Sequence, residues 1–342
     1  MVTGMFKRFV ALIIASALFF MSGCSGKSPE MEIVNFFAMD TVMSIAATGD
    51  NAEKALKDCV GRVGELEQLL SVNIGTSDIA RINRDNGATA VSEVTATLLE
   101  RSLKYGKETN GAFDVTILPI VRLWNIKAEN PRVPEGNEIA KALEPVDYSQ
   151  ISVTGRAVSL KKDGAGIDLG GIAKGYAADE IARILRENGI ECALFSLGGN
   201  VGVLGEKLDG EPWRVGIRDP NGQPNDYVGI LELRNTFAVT SGGYERSFEK
   251  EGVVYHHIFD PSTGYPSDSG LISVTIIADD SAYADMLSTA LYVMGYDEAL
   301  KFYENHNDFE AVFITDQNEV YCTPGTTESF YLTATDSYRM MG

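Results

Sequence analysis

The sequence predicts an α+β fold: largely antiparallel sheets with packed helices, arranged as two intimately associated lobes. Three observations predict it. Strand-like segments follow one another from Ile151 to Ile277 with a single helical pattern among them, and strands joined without helical crossovers pair antiparallel rather than in a doubly wound sheet. Helical periodicity is confined mainly to the segments on either side. Beyond the N-terminal leader about 300 residues remain, enough for one large core.

The elements follow in order. Lys7 and Arg8 precede an apolar stretch from Phe9 to Phe20, the pattern of an export leader and shorter than the roughly 20 apolar residues of a membrane span. It ends in Met21-Ser22-Gly23-Cys24, which resembles a bacterial lipobox. Residues 1–23 are therefore expected to be a lipoprotein signal peptide, residues 24–31 a tether from lipidated Cys24, and residues 32–342 the folded domain. Ile33–Phe37 and Thr41–Ile45 read as a strand pair or one bent strand. Asn51–Leu70 is an amphipathic helix, with Ala55, Cys59, Val63, Leu66 and Leu70 at three-to-four spacing. Thr95–Thr109 is another, stopped by Asn110-Gly111. A short helix, Glu135–Leu143, follows the Pro131–Pro134 loop. Strands are expected at Ile151–Val153, Ala157–Leu160, Ala193–Ser196, Trp213–Ile217, Tyr227–Leu233, Phe237–Thr240, Val253–Phe259 and Ile272–Ile277. Helices Ala173–Asn188 and Ala282–Met294 interrupt them, and helix Asp297–Asn305 with a hairpin (Ala311–Thr315, Val320–Tyr321) closes the chain.

A net charge of −19 excludes nucleic acid and anionic lipid surfaces as electrostatic partners. A chain this acidic that handles a polyanion needs a metal or a local cationic patch. Cys59, Cys192 and Cys322 lack CxxC spacing, so they suggest neither a zinc site nor a disulfide framework. Of the histidines, His306 sits in a polar turn, leaving the adjacent His256 and His257 as acid–base candidates.

Three glycine-rich turns stand out. Asp168-Leu169-Gly170-Gly171-Ile172-Ala173-Lys174-Gly175 opens a helix, where backbone amides and the helix dipole favour an anion; a purely structural turn fits that spacing as well. Ser196–Gly202 and Ala238–Arg246 are the others, and three such turns in one chain point to a buried ligand. Asp285 and Thr289 lie one helical turn apart on a shared face. A carboxylate and a hydroxyl so placed can hold a hard cation that keeps room for water and a phosphate oxygen. They equally suit a carboxylate answering the helix dipole and a threonine bonded back to its own helix.

Taken together, Asp168–Asp179, Thr240–Tyr244, His257–Pro266 and Ala284–Gly295 resemble, in order and spacing, the ApbE-type family of FAD:protein FMN transferases. The resemblance runs from about Phe37 to Phe313 and implies a T-fold-like domain. It implies exported, lipid-anchored enzymes, periplasmic or extracellular, that use Mg2+ to split FAD at its pyrophosphate. The FMN half passes to a threonine or serine hydroxyl of a partner flavoprotein in a membrane electron-transfer complex, and AMP leaves. Carried over by position, the metal ligands are the Ala173 carbonyl, Asp285 and Thr289. Flavin contacts are Met39, Asn73, Ala112, Phe113, Asp114, Gly170, Tyr176 and Ile258, and His257 is the base. The chain departs from the family pattern twice: Asp40 stands where many members have glycine, and Asn73 where many have tyrosine. The second departure resembles members that hydrolyse FAD to FMN and AMP, so a pyrophosphatase is an alternative expectation. A non-catalytic flavin-binding lipoprotein is another.

Overall fold

A two-residue turn opens the folded part of the chain. In the computed structural model, which describes residues 31–85 and 87–341, β1 (Glu32–Ala38) and β2 (Thr41–Thr48) pair antiparallel through Met39-Asp40. Both loop residues have positive φ, 49° and 60°, which matches the twist of the strands but suits Gly, Asn or Asp far better than Met. Met39 is secured there by its N–H, which donates to Glu67 Oε1 at 2.7 Å.

The chain then runs through α1 (Ala52–Leu70), α2 (Asp78–Arg84), β3 (Thr89–Ala90), α3 (Glu93–Glu108), α4 (Leu118–Trp124), α5 (Gly136–Leu143), β4 (Ile151–Thr154), β5 (Ala157–Leu160) and α6 (Ala173–Glu187). Strands β6 (Cys192–Leu197), β7 (Asn200–Leu204), β8 (Trp213–Arg218), β9 (Tyr227–Leu233), β10 (Phe237–Gly242), β11 (Ser247–Lys250), β12 (Val253–His256) and β13 (Leu271–Ala278) follow. Helices α7 (Ser281–Met294) and α8 (Tyr296–Asn305) precede β14 (Glu310–Thr315), β15 (Glu319–Cys322), β16 (Phe330–Leu332) and β17 (Arg339–Met340).

Nine strands form the central sheet in the order β1-β2-β6-β7-β10-β13-β14-β15-β17. Every pairing is antiparallel except β15 with β17. Side chains alternate across a strand, so each face finds its own cover. Met43, Ile45, Phe195, Val239, Ile276 and Phe313 belong to the core shared with the buried stripes of α1, α6 and α7. Val203, Ala238, Val312 and Ile314 instead join Trp213, Leu231 and Phe330 of the small sheet β16-β9-β8. A third cluster holds Ile120, Trp124 and Ile139 from α4 and α5 against Phe259.

The largely antiparallel α+β expectation is met, with residues 31–342 forming one compact unit. Among the described residues, no helix is long and apolar enough to cross a membrane. The leader, Cys24 and the tether up to Glu30 lie outside the described residues. Several details differ, among them the short strands β3, β7, β11, β16 and β17, which the sequence pattern does not announce. Helices α2 and α4 escape detection because seven residues are too few to show a period. Strand β12 stops at His256, not Phe259, because the Ser267 N–H donates to the Ile258 carbonyl at 2.9 Å and draws the chain into a turn.

Candidate active site

The site is built where α6 crosses α7. Gly175 permits the approach: a Cβ there would meet the Ser281 carbonyl oxygen at 2.3 Å and Asp285 Cβ at 2.7 Å. The Gly175 N–H, one of the donors left unpaired at a helix start, donates to Asp285 Oδ2 at 2.8 Å. So Asp285 answers the dipole of α6, not that of its own helix. The start of α7 is held in turn by Asp179, which accepts from Ser281 N at 2.7 Å and Ala282 N at 3.0 Å. Asp280 caps Tyr283 N at 2.8 Å and takes a two-pronged contact from Arg101 at 2.6 and 2.7 Å. Burial and the neighbouring Asp280 charge push the Asp179 carboxyl up to about 7.

This leaves a half-used carboxylate. Asp285 is 4% exposed, and among the described residues its Oδ1 accepts no hydrogen bond. Thr289 Oγ1 is only loosely engaged, 3.4 Å from both the Asp285 carbonyl and Ser241 Oγ. Gly171 is packed beside it, since a Cβ there would stand 3.5 Å from Thr289 Oγ1. No group of three or more His, Cys, Asp or Glu converges among the described residues. The cavity wall around Asp285 offers one carboxylate and the hydroxyls of Thr289 and Ser241, with Ala173, at the first turn of α6, in the same lining. So oxygen-rich and sparse a set fits a hard cation that retains water or phosphate ligands, and does not fit zinc or another metal bound by side chains alone.

The two histidines have different fates. His256 Nδ1 accepts from Ile258 N at 3.2 Å, so its Nε2 carries the proton and donates to the Ser267 carbonyl at 3.1 Å. Both nitrogens are committed, and the ring packs edge-on against Tyr292. His257 continues the hairpin β11–β12 by one rung: its N–H donates to the Arg246 carbonyl at 3.1 Å and its Nδ1–H to the same oxygen at 3.3 Å. That tautomer leaves Nε2 as an unprotonated acceptor. Burial, reinforced by the Arg246 charge, pulls the imidazole down to about 3. His257 is thus a neutral imidazole whose Nε2 can accept a proton.

One cavity of about 680 Å³ unites these parts, within the range typical of small-molecule sites. Met39, Asn73, Ala112, Phe113, Asp114, Gly170, Ala173, His257, Ile258, Asp285 and Thr289 all line it. All three glycine-rich turns reach it, through Gly170 and Gly171, Gly198, and Thr240 to Gly242. Asp114 lines the wall with its oxygens already taken by Thr116 N and Oγ1 at 2.7 and 2.6 Å and by Tyr148 N at 2.9 Å. Asn73 is exposed at the rim. Tyr176 is the exception. It is not among the lining residues; it packs half-buried against the main core on the side of α6 near Arg62 and Glu180. The helical period by itself groups Tyr176 with Ala177, Ile181, Ile184 and Leu185 on the apolar face of α6; its flavin contact is implied by the family resemblance alone.

Sequence reasoning offers one cation, Lys174 at the start of α6, and misses the other three. Arg122, Lys127, Lys174 and Arg246 line the cavity of this acidic chain. Lys174 reaches Asn200 Oδ1 at 3.0 Å, and Lys127 pairs with Asp40 at 2.9 Å across the mouth. Burial raises the Asp168 carboxyl, against the opposing pull of Arg122, Lys127 and Arg246. Arg246 adjoins the third glycine turn and was visible there; Arg122 and Lys127 sit on and after the undetected α4.

Fold and cavity define the class first: an α+β protein with a deep, cation-lined site beside an oxygen-rich helix face. The chain belongs to the ApbE family, whose model matches residues 39–313. Among curated relatives, an FAD:protein FMN transferase of Treponema pallidum (strain Nichols) is 34% identical over 291 residues, covering 80% of this chain and 80% of that protein. One of Klebsiella pneumoniae (strain 342) is 35% identical over 258 residues, covering 74% and 80%. The solved ApbE protein of Thermotoga maritima superposes with a TM-score of 0.78 at 32% identity, covering 91% of this chain and all (100%) of that one. The flavin transferase ApbE of Vibrio cholerae gives 0.78 at 27% identity, covering 88% and 100%.

Proposed function

We propose that this chain transfers the FMN half of FAD to a serine or threonine hydroxyl of a partner flavoprotein, releasing AMP, with Mg2+ as its cofactor. The observation that carries the reading is the convergence of neutral His257, the half-used Asp285 and three glycine-rich turns on one cavity, in a chain of the ApbE family. A threonine hydroxyl is a poor nucleophile at neutral pH and gains from a positioned base. His257 Nε2 accepts the hydroxyl proton while Nδ1 stays anchored to the Arg246 carbonyl. The hydroxyl oxygen bonds the phosphorus of the FMN half, the P–O bond to AMP breaks, and the electron pair leaves on the AMP phosphate. Asp285, Thr289 and the Ala173 carbonyl would hold the cation, which when bound supplies positive charge to the pyrophosphate. Apolar Met39, Phe113 and Ile258 give the flavin ring a surface to cover.

Cys24 is the proposed lipid anchor, placing the domain outside the cytoplasmic membrane, with a membrane electron-transfer flavoprotein as client. The test is intact mass: the protein lacking residues 1–24, with FAD, Mg2+ and an acceptor domain, should add one FMN to a single hydroxyl, and chelator should abolish it. A second reading, FAD hydrolysis, is favoured by Asn73, whose exposed amide at the rim gives a flavin or adenine little apolar area to stack on. Equal release of AMP and free FMN without acceptor would select it.

A further inference from the structure

We infer that Arg246 is the direct cationic contact for the phosphate group that is split, an assignment that rests on the proposed FAD chemistry. Five arginines are half-buried among the described residues: Arg62, Arg81, Arg101, Arg218 and Arg246. The first four each have a carboxylate within reach, Glu180 at 2.8 Å, Asp78 at 2.8 Å, Asp280 at 2.6 Å and Glu245 at 3.9 Å respectively. Arg246 has no carboxylate partner among the described residues. Its side chain makes one long contact, from Nη2 to the Asp40 carbonyl at 3.5 Å. The Asp40 carboxylate is turned to Lys127 instead.

A guanidinium carries five N–H donors in a fixed fork, and leaving them unmet in a partly desolvated wall is costly unless an anion arrives. Phosphate oxygens match that fork in charge and geometry. The position is equally specific. Arg246 lines the cavity, and its own carbonyl holds the N–H and Nδ1–H of His257. Cation and base are therefore fixed to opposite ends of one residue pair at the root of the β11–β12 hairpin. As the P–O bond to AMP breaks and the electron pair stays on the leaving phosphate, the guanidinium offsets the added charge and keeps its own protons. In a chain of net charge −19, an unpaired cation in this cavity opposes the general field that would repel a pyrophosphate.

The test compares FAD with riboflavin, which shares the flavin ring and lacks both phosphates. Flavin-fluorescence titrations of the full chain in detergent, with Mg2+, are run on wild type, Arg246→Gln and Arg246→Lys. Arg246→Gln should weaken FAD by about tenfold or more while riboflavin changes less than about twofold, and Arg246→Lys should recover part of the loss. The salt dependence of FAD binding should also be shallower in Arg246→Gln than in wild type. Equal weakening of both ligands would make Arg246 a structural residue, and unchanged FAD affinity would remove it from the site; either overturns the assignment. If wild type releases no AMP from FAD even with Mg2+ and an acceptor domain present, the transfer reading falls, while the FAD–riboflavin difference still decides the role of Arg246.

Discussion

His257 and Asp285 show how one side chain is divided between structure and chemistry. In His257 the anchored Nδ1 fixes which nitrogen is free, and burial, reinforced by the Arg246 charge, keeps that nitrogen unprotonated. Its pKa of about 3 lies below the ordinary value, so the unfolded chain takes up a proton below about 6.5 that the native protein refuses. Through this group, stability is lost as pH falls from about 6.5 toward 3. The same shift predicts that kcat/KM for FAD, which reports the free enzyme, shows no inflection from His257 between about pH 5 and 8. A bound pyrophosphate raises the imidazole, so the acid limb of kcat should lie at higher pH than that of kcat/KM. A limb near 6.5 in kcat/KM would contradict the environment described. His257→Ala should cut transfer by about 100-fold or more with FAD affinity little changed, read by mass labelling and titration. For Asp285, Asn retains an oxygen for Gly175 N and loses the charge. Asp285→Asn should therefore melt like wild type yet need about tenfold more Mg2+, whereas Asp285→Ala should also lose about 1 kcal/mol of stability with its cap.

At the scale of elements, the decisive contact is the crossing of α6 and α7. The chain buries no side chain at Gly175 because Ser281, Ala282 and Asp285 already occupy the space. Gly175→Ala improves helix propensity by up to about 1 kcal/mol but forces the helices apart, an overpacking cost of about 1–3 kcal/mol. The expected result is a lower melting temperature together with a weakened Mg2+ response, because Asp285 and Ala173 move with their helices. A variant as stable and as active as wild type would show that the crossing is not tight. The hairpins act differently: the β1–β2 turn and the β11–β12 root bring Met39 and His257 to the cavity without a helix. Their loops were legible in part. Met39-Asp40 lies between recognisable strands, but nothing local announces that methionine would hold a left-handed conformation; Glu67, 28 residues away, makes it tolerable.

For the whole molecule, one sheet covered on both faces predicts cooperative unfolding. Residues 31–342 alone should melt in a single calorimetric transition at the same temperature as the full chain in detergent; two transitions would mean separable halves. Cys24→Ser should release the protein from the membrane fraction, since one acyl-bearing cysteine would be its only proposed anchor. The site is a property of this scale too. Its walls come from residues 39 to 289, and no window of the sequence contains more than a part of it.

The sequence by itself determined the α+β class, the long amphipathic helices, the three glycine-rich turns, and the pairing of Asp285 with Thr289 on one helix face. Periodicity and turn chemistry are local, so they can be read locally. Tertiary structure alone decided that Asp285 spends one oxygen on Gly175 and that His256 is committed where His257 is free. It also decided that Arg246 stands without a carboxylate partner among the described residues. Each of these depends on which distant segment arrives to supply or withhold a partner, and hydrogen bonds and charges across a cavity leave no period in the chain.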